Sequence, residues 1–137
     1  SKGEENYVQA LDALWHRAKA MGFTKFFIVR VGYWGSDSVF DIMRAQERFC
    51  QMTPDAFIIT RVASFMAWVS EDGNREFRPD SNPEFAFCRD SFYGFENQHI
   101  NQKGFEVIAK YAVPNMIRVL FQNTAPVLEE EAIPLLK

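Results

Sequence analysis

The sequence has no run of about 18 apolar residues that could cross a bilayer, and no signal-like segment opens it. It has no block of lysine or arginine. With a net charge of -3 and a pI near 5.4, it carries no electrostatic footprint for nucleic acid. It has only two cysteines, Cys50 and Cys88, with no CxxC and no paired histidine spacing, which excludes a disulfide framework and a cysteine–histidine metal site. Reduced, buried thiols are the expectation. Internal repeats and low-complexity tracts are also missing. What is present is ordinary globular composition over 137 residues, 47% hydrophobic and 24% charged. Aromatics reach 15%, with 14 Phe, enough for a tightly packed interior or for one face meant for another subunit.

Tyr7, Leu11, Leu14, Ala18 and Met21 recur at helical spacing, which predicts a helix over 7–21 with Asn6 as cap and Gly22 as stop. Phe26 to Val31 is a short apolar run without clean alternation, as in a strand covered on both faces. The turn-rich loop 32–38 follows. Val39, Ile42, Met43, Gln46, Phe49 and Cys50 then mark a second helix capped by Asp37 or Ser38, and Phe57 to Val62 reads as a second strand. This alternation predicts right-handed crossovers and a parallel sheet with helices packed on it.

From Ala63 to Phe95 the pattern dissolves, apart from a possible short strand at 85–87. Loops of that length inside a compact domain are usually functional or poorly ordered. Phe105, Ile108, Ala109, Ala112, Met116, Val119 and Leu120 then form an apolar stripe, predicting a helix over 102–121 that Pro114 kinks or restarts. Residues 123–137, with Pro126, Glu129 to Glu131 and Pro134, read as a linker or extended arm after a domain spanning 1–122.

The chemistry is expected between Phe92 and Phe105. Glu96 stands three residues before His99 in a glycine-flanked polar loop that opens into the last helix. Histidine titrates near neutrality, and a nearby carboxylate can fix its tautomer and stabilise its charged form. The bland alternative is a surface histidine beside a solvated carboxylate. His16, on a helix with neither loop nor carboxylate context, is expected to be inert. Ser38 follows a strand and opens a helix, so it could be an exposed nucleophile, but it reads first as a cap. Tyr33, Trp34 and Trp68 could stack on a sugar or belong to the core.

Three stretches in this order resemble the SGNH hydrolases, and among them carbohydrate O-acetylesterases of the sialate O-acetylesterase type. Lys2-Gly3-Glu4 ahead of a Tyr-led helix is similar to that group's Gln-Gly-Glu block. Met43-Arg44-Ala45-Gln46 is similar to its Arg-x-Ala-Gln signature, and His99 to Phe105 to the block holding its catalytic histidine. The resemblance implies an αβα sandwich in which a serine attacks an acetyl ester. His99 would act as general base and then acid, and Glu96 would stand where the family has aspartate, with Asp90 as the fallback. Gly3 would line the oxyanion hole, and this chemistry needs no metal or organic cofactor.

The family's Gly-x-Ser nucleophile block has no counterpart here. The expectation is therefore the C-terminal half of a hydrolase domain, partnered by an N-terminal half that carries the serine and acting on an acetylated carbohydrate. The rival expectation is a carbohydrate-binding or structural module of the same fold without catalysis. Association with the family points loosely to polysaccharide processing at a cell or virion surface.

Overall fold

The computed structural model describes residues 1–32, 38–65, 68–69, 75–76, 100 and 102–128. In chain order the elements are α1 (Lys2–Ala20), β1 (Phe26–Val29), α2 (Ser38–Met52), β2 (Ala56–Thr60), α3 (Val62–Phe65), β3 (Trp68–Val69), β4 (Arg75–Glu76) and α4 (Gln102–Phe121). The fold is mixed α/β. β1 and β2 pair in parallel, while β3 and β4 form a separate antiparallel pair. Among the described residues no helix is long and apolar enough to cross a membrane.

α1 starts five residues earlier than its apolar spacing suggests, and the cap is Ser1 rather than Asn6. The Ser1 hydroxyl accepts the Glu4 backbone N–H at 3.2 Å, and the Glu4 side chain accepts in return from the Ser1 backbone, closing a capping box. Glu4 and Glu5 in the first turn and Arg17 and Lys19 in the last complement the helix dipole. The other end is closed at Gly22, as its sequence position suggests. Gly22 takes φ +96°, Phe23 N–H reaches the Ala18 carbonyl and Gly22 N–H the Lys19 carbonyl, together a Schellman motif. α1 buries Val8 and Trp15, with Leu11 and Ala18 packed beside them, whereas Tyr7, Leu14 and Met21 are exposed. The buried stripe is thus offset around the helix from the one the apolar spacing marks.

The main core joins α1, α2 and one face of the parallel pair. Trp15 packs with Ile28, Phe49, Ala56 and Ile58, and its ring stands edge-on to Phe26 at 5.5 Å, with Phe26 in turn edge-on to Phe49. Strand alternation leaves Phe27 and Phe57 for the opposite face, where their rings lie 6.3 Å apart. β1 ends at Val29, two residues short of the apolar run, because a register irregularity after Ile28 sets Val29 opposite Thr60. The connection into β2 turns at Asp55, whose φ of 68° follows Pro54 and whose carboxylate takes the Lys25 ammonium.

Residues 66–99 contain the predicted strand at 85–87, which lies outside the described residues. Within that span β3 and β4 are short elements the apolar pattern did not announce. α4 runs as one helix through Pro114, with no restart. Pro114 and Lys110 are both exposed, so the carbonyl that proline leaves without an N–H can face water. Asn123, at φ 49°, ends the helix, with Thr124 donating its N–H and hydroxyl to the Arg118 carbonyl. The segment that follows is docked. Asn115, 2% exposed, donates to the carbonyls of Ile59 (2.8 Å) and Val127 (2.9 Å) and accepts the Val127 N–H (2.7 Å). Leu128 reaches the main core.

Cys50 lies against that core as a free thiol. Burial first, then the Glu47 carboxylate, pushes its pKa up from 9.0 to about 12. Stability linked to the neutral thiol is therefore full below pH 9 and is lost as pH rises towards 12. Because thiolate is the reactive form, iodoacetamide at pH 8 should modify Cys50 at least a hundredfold more slowly in the folded chain than in urea, as read by peptide mapping. Equal rates would show that the core around Cys50 is open.

Candidate functional site at the carboxyl ends of the strands

Ligands of parallel α/β sheets gather outside the carboxyl ends of the strands, where loops leave the sheet. Here β1 leads through Arg30, Val31 and Gly32, and β2 leads through Arg61 into α3. Polar groups converge on this rim. Arg61 holds Glu47 of α2 in a bidentate pair, through Nε and through Nη2 at 2.8 Å, and Arg30 Nη1 joins at 3.2 Å. Arg30 Nε donates to Ser64 Oγ at 2.9 Å, and that hydroxyl donates to the Val31 carbonyl at 2.6 Å. Thr60, fully buried, accepts the Val62 N–H on its hydroxyl at 3.1 Å, turning the chain into α3. Gly32 is required by close approach, since a Cβ there would come within 2.5 Å of the Ala63 carbonyl oxygen.

Burial works to raise the Glu47 pKa, but the hydrogen bond and charge of Arg61, with Arg30 behind them, outweigh it and hold the carboxyl below its ordinary 4.5. The stability that ionised Glu47 confers is full above pH 4.5 and is lost as pH falls through the depressed folded value. Glu47→Gln should cost roughly 2 kcal/mol at neutral pH, because the charged pair that Glu47 makes with Arg30 and Arg61 is lost, and should flatten the acid limb of stability. Urea unfolding between pH 3 and 7 measures both. An unchanged acid limb would place the titration elsewhere.

A second constellation lies where the start of α1 meets α2. Gly3 packs so closely on α2 that an added Cβ would stand 2.7 Å from Asp41 Oδ2. Asp41 Oδ1 accepts the Ser1 hydroxyl at 2.8 Å and Arg44 Nη2 at 2.5 Å, and Arg44 Nε lies 4.0 Å from Glu4 Oε2. The Ser1 hydroxyl, followed by the Arg44 guanidinium, holds Asp41 below the usual carboxylate range. Arg48 reaches across to Glu5 at 2.6 Å, and this bond holds Glu5 low as well. Gln46, on the same helix, accepts the Val31 N–H at 3.0 Å and so ties α2 to the end of β1.

No family model matches the chain, and neither a curated protein nor a solved structure does. The site therefore stands on its geometry. Beside α2 an open cleft of about 560 Å³ is lined by Glu4, Arg30, Arg44, Glu47, Arg48 and Met43, among others. Among the described residues it holds three guanidiniums and two carboxylates, each guanidinium already facing a carboxylate, and its open surface is mostly apolar, with Phe40 and Met43 in the lining.

Of the residues singled out in the sequence, Gly3 lies in the first turn of α1 against Asp41. Ser38 is the exposed first residue of α2, not the residue before it. His16 is exposed and sits 3.3 Å from Asp12 one turn earlier, a carboxylate that the spacing i, i+4 would have revealed. His99, Glu96, Asp90, Trp34 and Tyr33 lie outside the described residues, as does the side chain of Trp68. Among the described residues no cluster of His, Cys, Asp and Glu could hold a metal ion. Sequence reasoning missed the Arg30–Glu47–Arg61 group, whose only signal was a charged residue at the end of each apolar run.

Proposed function

We propose that this chain is the C-terminal part of a serine esterase of the SGNH type that removes O-acetyl groups from a carbohydrate. Its finer architecture is then a three-layer αβα sandwich, with α1 and α2 on one face of the parallel sheet and α4 on the other. The supporting observation is that two of the three stretches carrying the resemblance meet in space. The Gly3-Glu4 stretch and the Arg44 stretch, forty residues apart, touch through Gly3 against Asp41 and Arg44 beside Glu4, while Gln46 grips the end of β1. The third stretch opens α4.

In this reading His99 takes the proton of a serine supplied by an N-terminal half, and the serine oxygen attacks the acetyl carbonyl. His99 then gives the proton to the departing sugar oxygen, and water, deprotonated by the same histidine, releases acetate from the serine. Glu96 orients His99, a backbone N–H near Gly3 faces the developing oxyanion, and Trp34 stacks on the sugar. An open cleft beside α2, mostly apolar with a few charged and polar groups, has the general character of a small-ligand site. That same cleft favours the second reading, a carbohydrate-binding module without catalysis.

A fluorophosphonate, which phosphonylates activated serines, tests the choice when added to this chain alone and together with the N-terminal half. Label on a Gly-x-Ser serine of that half, lost with His99→Ala, is the expected result. Label on Ser38 would instead indicate a self-contained small hydrolase. A folded mixture that takes no label contradicts the esterase and leaves the binding module.

A further inference from the structure

The segment that follows α4 is held at few points. Asn123, at φ 49°, turns the chain, and Thr124 fixes the turn on the Arg118 carbonyl. Further on, the Asn115 amide meets both backbone groups of Val127, accepting its N–H at 2.7 Å and donating to its carbonyl at 2.9 Å. One side chain thus stands in for one step of a strand ladder. The rest of the hold is apolar. Pro126 and Leu128 are half-buried, whereas Val127 between them is 47% exposed.

Beneath Pro126 and Leu128 runs an open cleft of about 230 Å³ between α2 and β2, lined by Cys50 and Phe57 and bordered by the Glu47–Arg61 pair. Space left under the two anchors forfeits part of the contact that a filled core gives. Lifting the segment also strands little. Asn115 keeps its 2.8 Å bond to the Ile59 carbonyl, and the half-exposed Val127 can turn its backbone groups to water. α4 has its own hold, because it packs against β2 and buries Ile108, Ala112 and Val119. Few buried contacts and hydrogen bonds within reach of solvent mark the parts of a protein that open ahead of global unfolding.

We propose that residues 124–128 form a strap that swings on Asn123 and opens the cleft between α2 and β2 while the core beneath stays folded. Opening bares the cleft wall at Cys50 and Phe57 and widens the approach to the Glu47–Arg61 pair. The strap works in the same way whether or not the chain hydrolyses an ester.

Alkylation of Cys50 by iodoacetamide, used as a probe of the cleft, and amide exchange at Val127 test this on the full chain at urea concentrations below the unfolding transition. Both rates should rise less than about twofold per molar urea, whereas access through global unfolding rises at least about fivefold per molar for a chain of this size. Leu128→Ser removes the inner anchor and should speed both by the same factor, at least tenfold, with the urea dependence still shallow. Alkylation that climbs with urea as steeply as unfolding would show that Cys50 is reached only when the whole core opens. An unchanged alkylation rate in Leu128→Ser would show that Cys50 is reached without the strap, and a Val127 amide that quickens while Cys50 does not would show that the segment covers nothing. Each of these three results overturns the proposal.

Discussion

Trp15→Ala is expected to lower the unfolding free energy by about 4 kcal/mol, the range for deleting a large buried aromatic. Trp15 is 3% exposed and is the buried side chain that α1 sends into the main core, with Leu11 and Ala18 packed beside it, touching β1, β2 and α2 at once. Removing it takes away the edge-on contact with Phe26 and the ring over which the Lys19 ammonium lies at 5.5 Å. The cavity would open between elements that are themselves fixed by the sheet, so it cannot collapse fully. Trp15→Phe keeps much of the filling and should cost no more than about 2 kcal/mol. Urea denaturation measures both, and equal losses would mean that volume is not what the site depends on.

The second large effect is expected at Asn115. Asn115→Leu preserves size but strands three backbone groups, the carbonyls of Ile59 and Val127 and the Val127 N–H. A buried polar group left without its partner costs about 1–3 kcal/mol, and water can reach the Val127 groups once the segment lifts, so a net loss of about 3 kcal/mol is expected. The signature is local. Exchange of the Val127 and Leu128 amides should quicken, while the amides of β1 keep their rates. Uniform quickening would mean that Asn115 supports the whole core and not one docked segment.

Much of the fold was legible because the physics is local. Gly22 read as a stop because only glycine takes its φ of 96° without strain, and the apolar runs at Phe26 and Phe57 read as strands. β2 is buried almost throughout, whereas in β1 only Ile28 is buried and Val29 is exposed, so the expectation of cover on both faces does not hold for β1 among the described residues. The start of α1 was misplaced although Ser1-Lys2-Gly3-Glu4 has the spacing of a capping box, because Gly3 argues against a helix there. Its glycine is explained by the neighbouring Asp41, a contact between elements that no local pattern carries. Asn115 was passed over as one polar residue in an apolar stripe, yet a lone amide flanked by Ala112 and Val119 is the mark of a buried hydrogen-bonding tie. In the candidate site, the pairing of Glu47 with Arg30 and Arg61 follows from the crossover that lays α2 over the strand ends, which spacing in sequence cannot express.

The central claim is acyl transfer through His99, and the most direct test is hydrolysis of a chromogenic acetyl ester by this chain mixed with its N-terminal half. The account predicts turnover in the mixture, none in either part alone, and a loss of at least a thousandfold in kcat with His99→Ala. A folded mixture that hydrolyses the ester equally well with His99→Ala, or not at all, would contradict it.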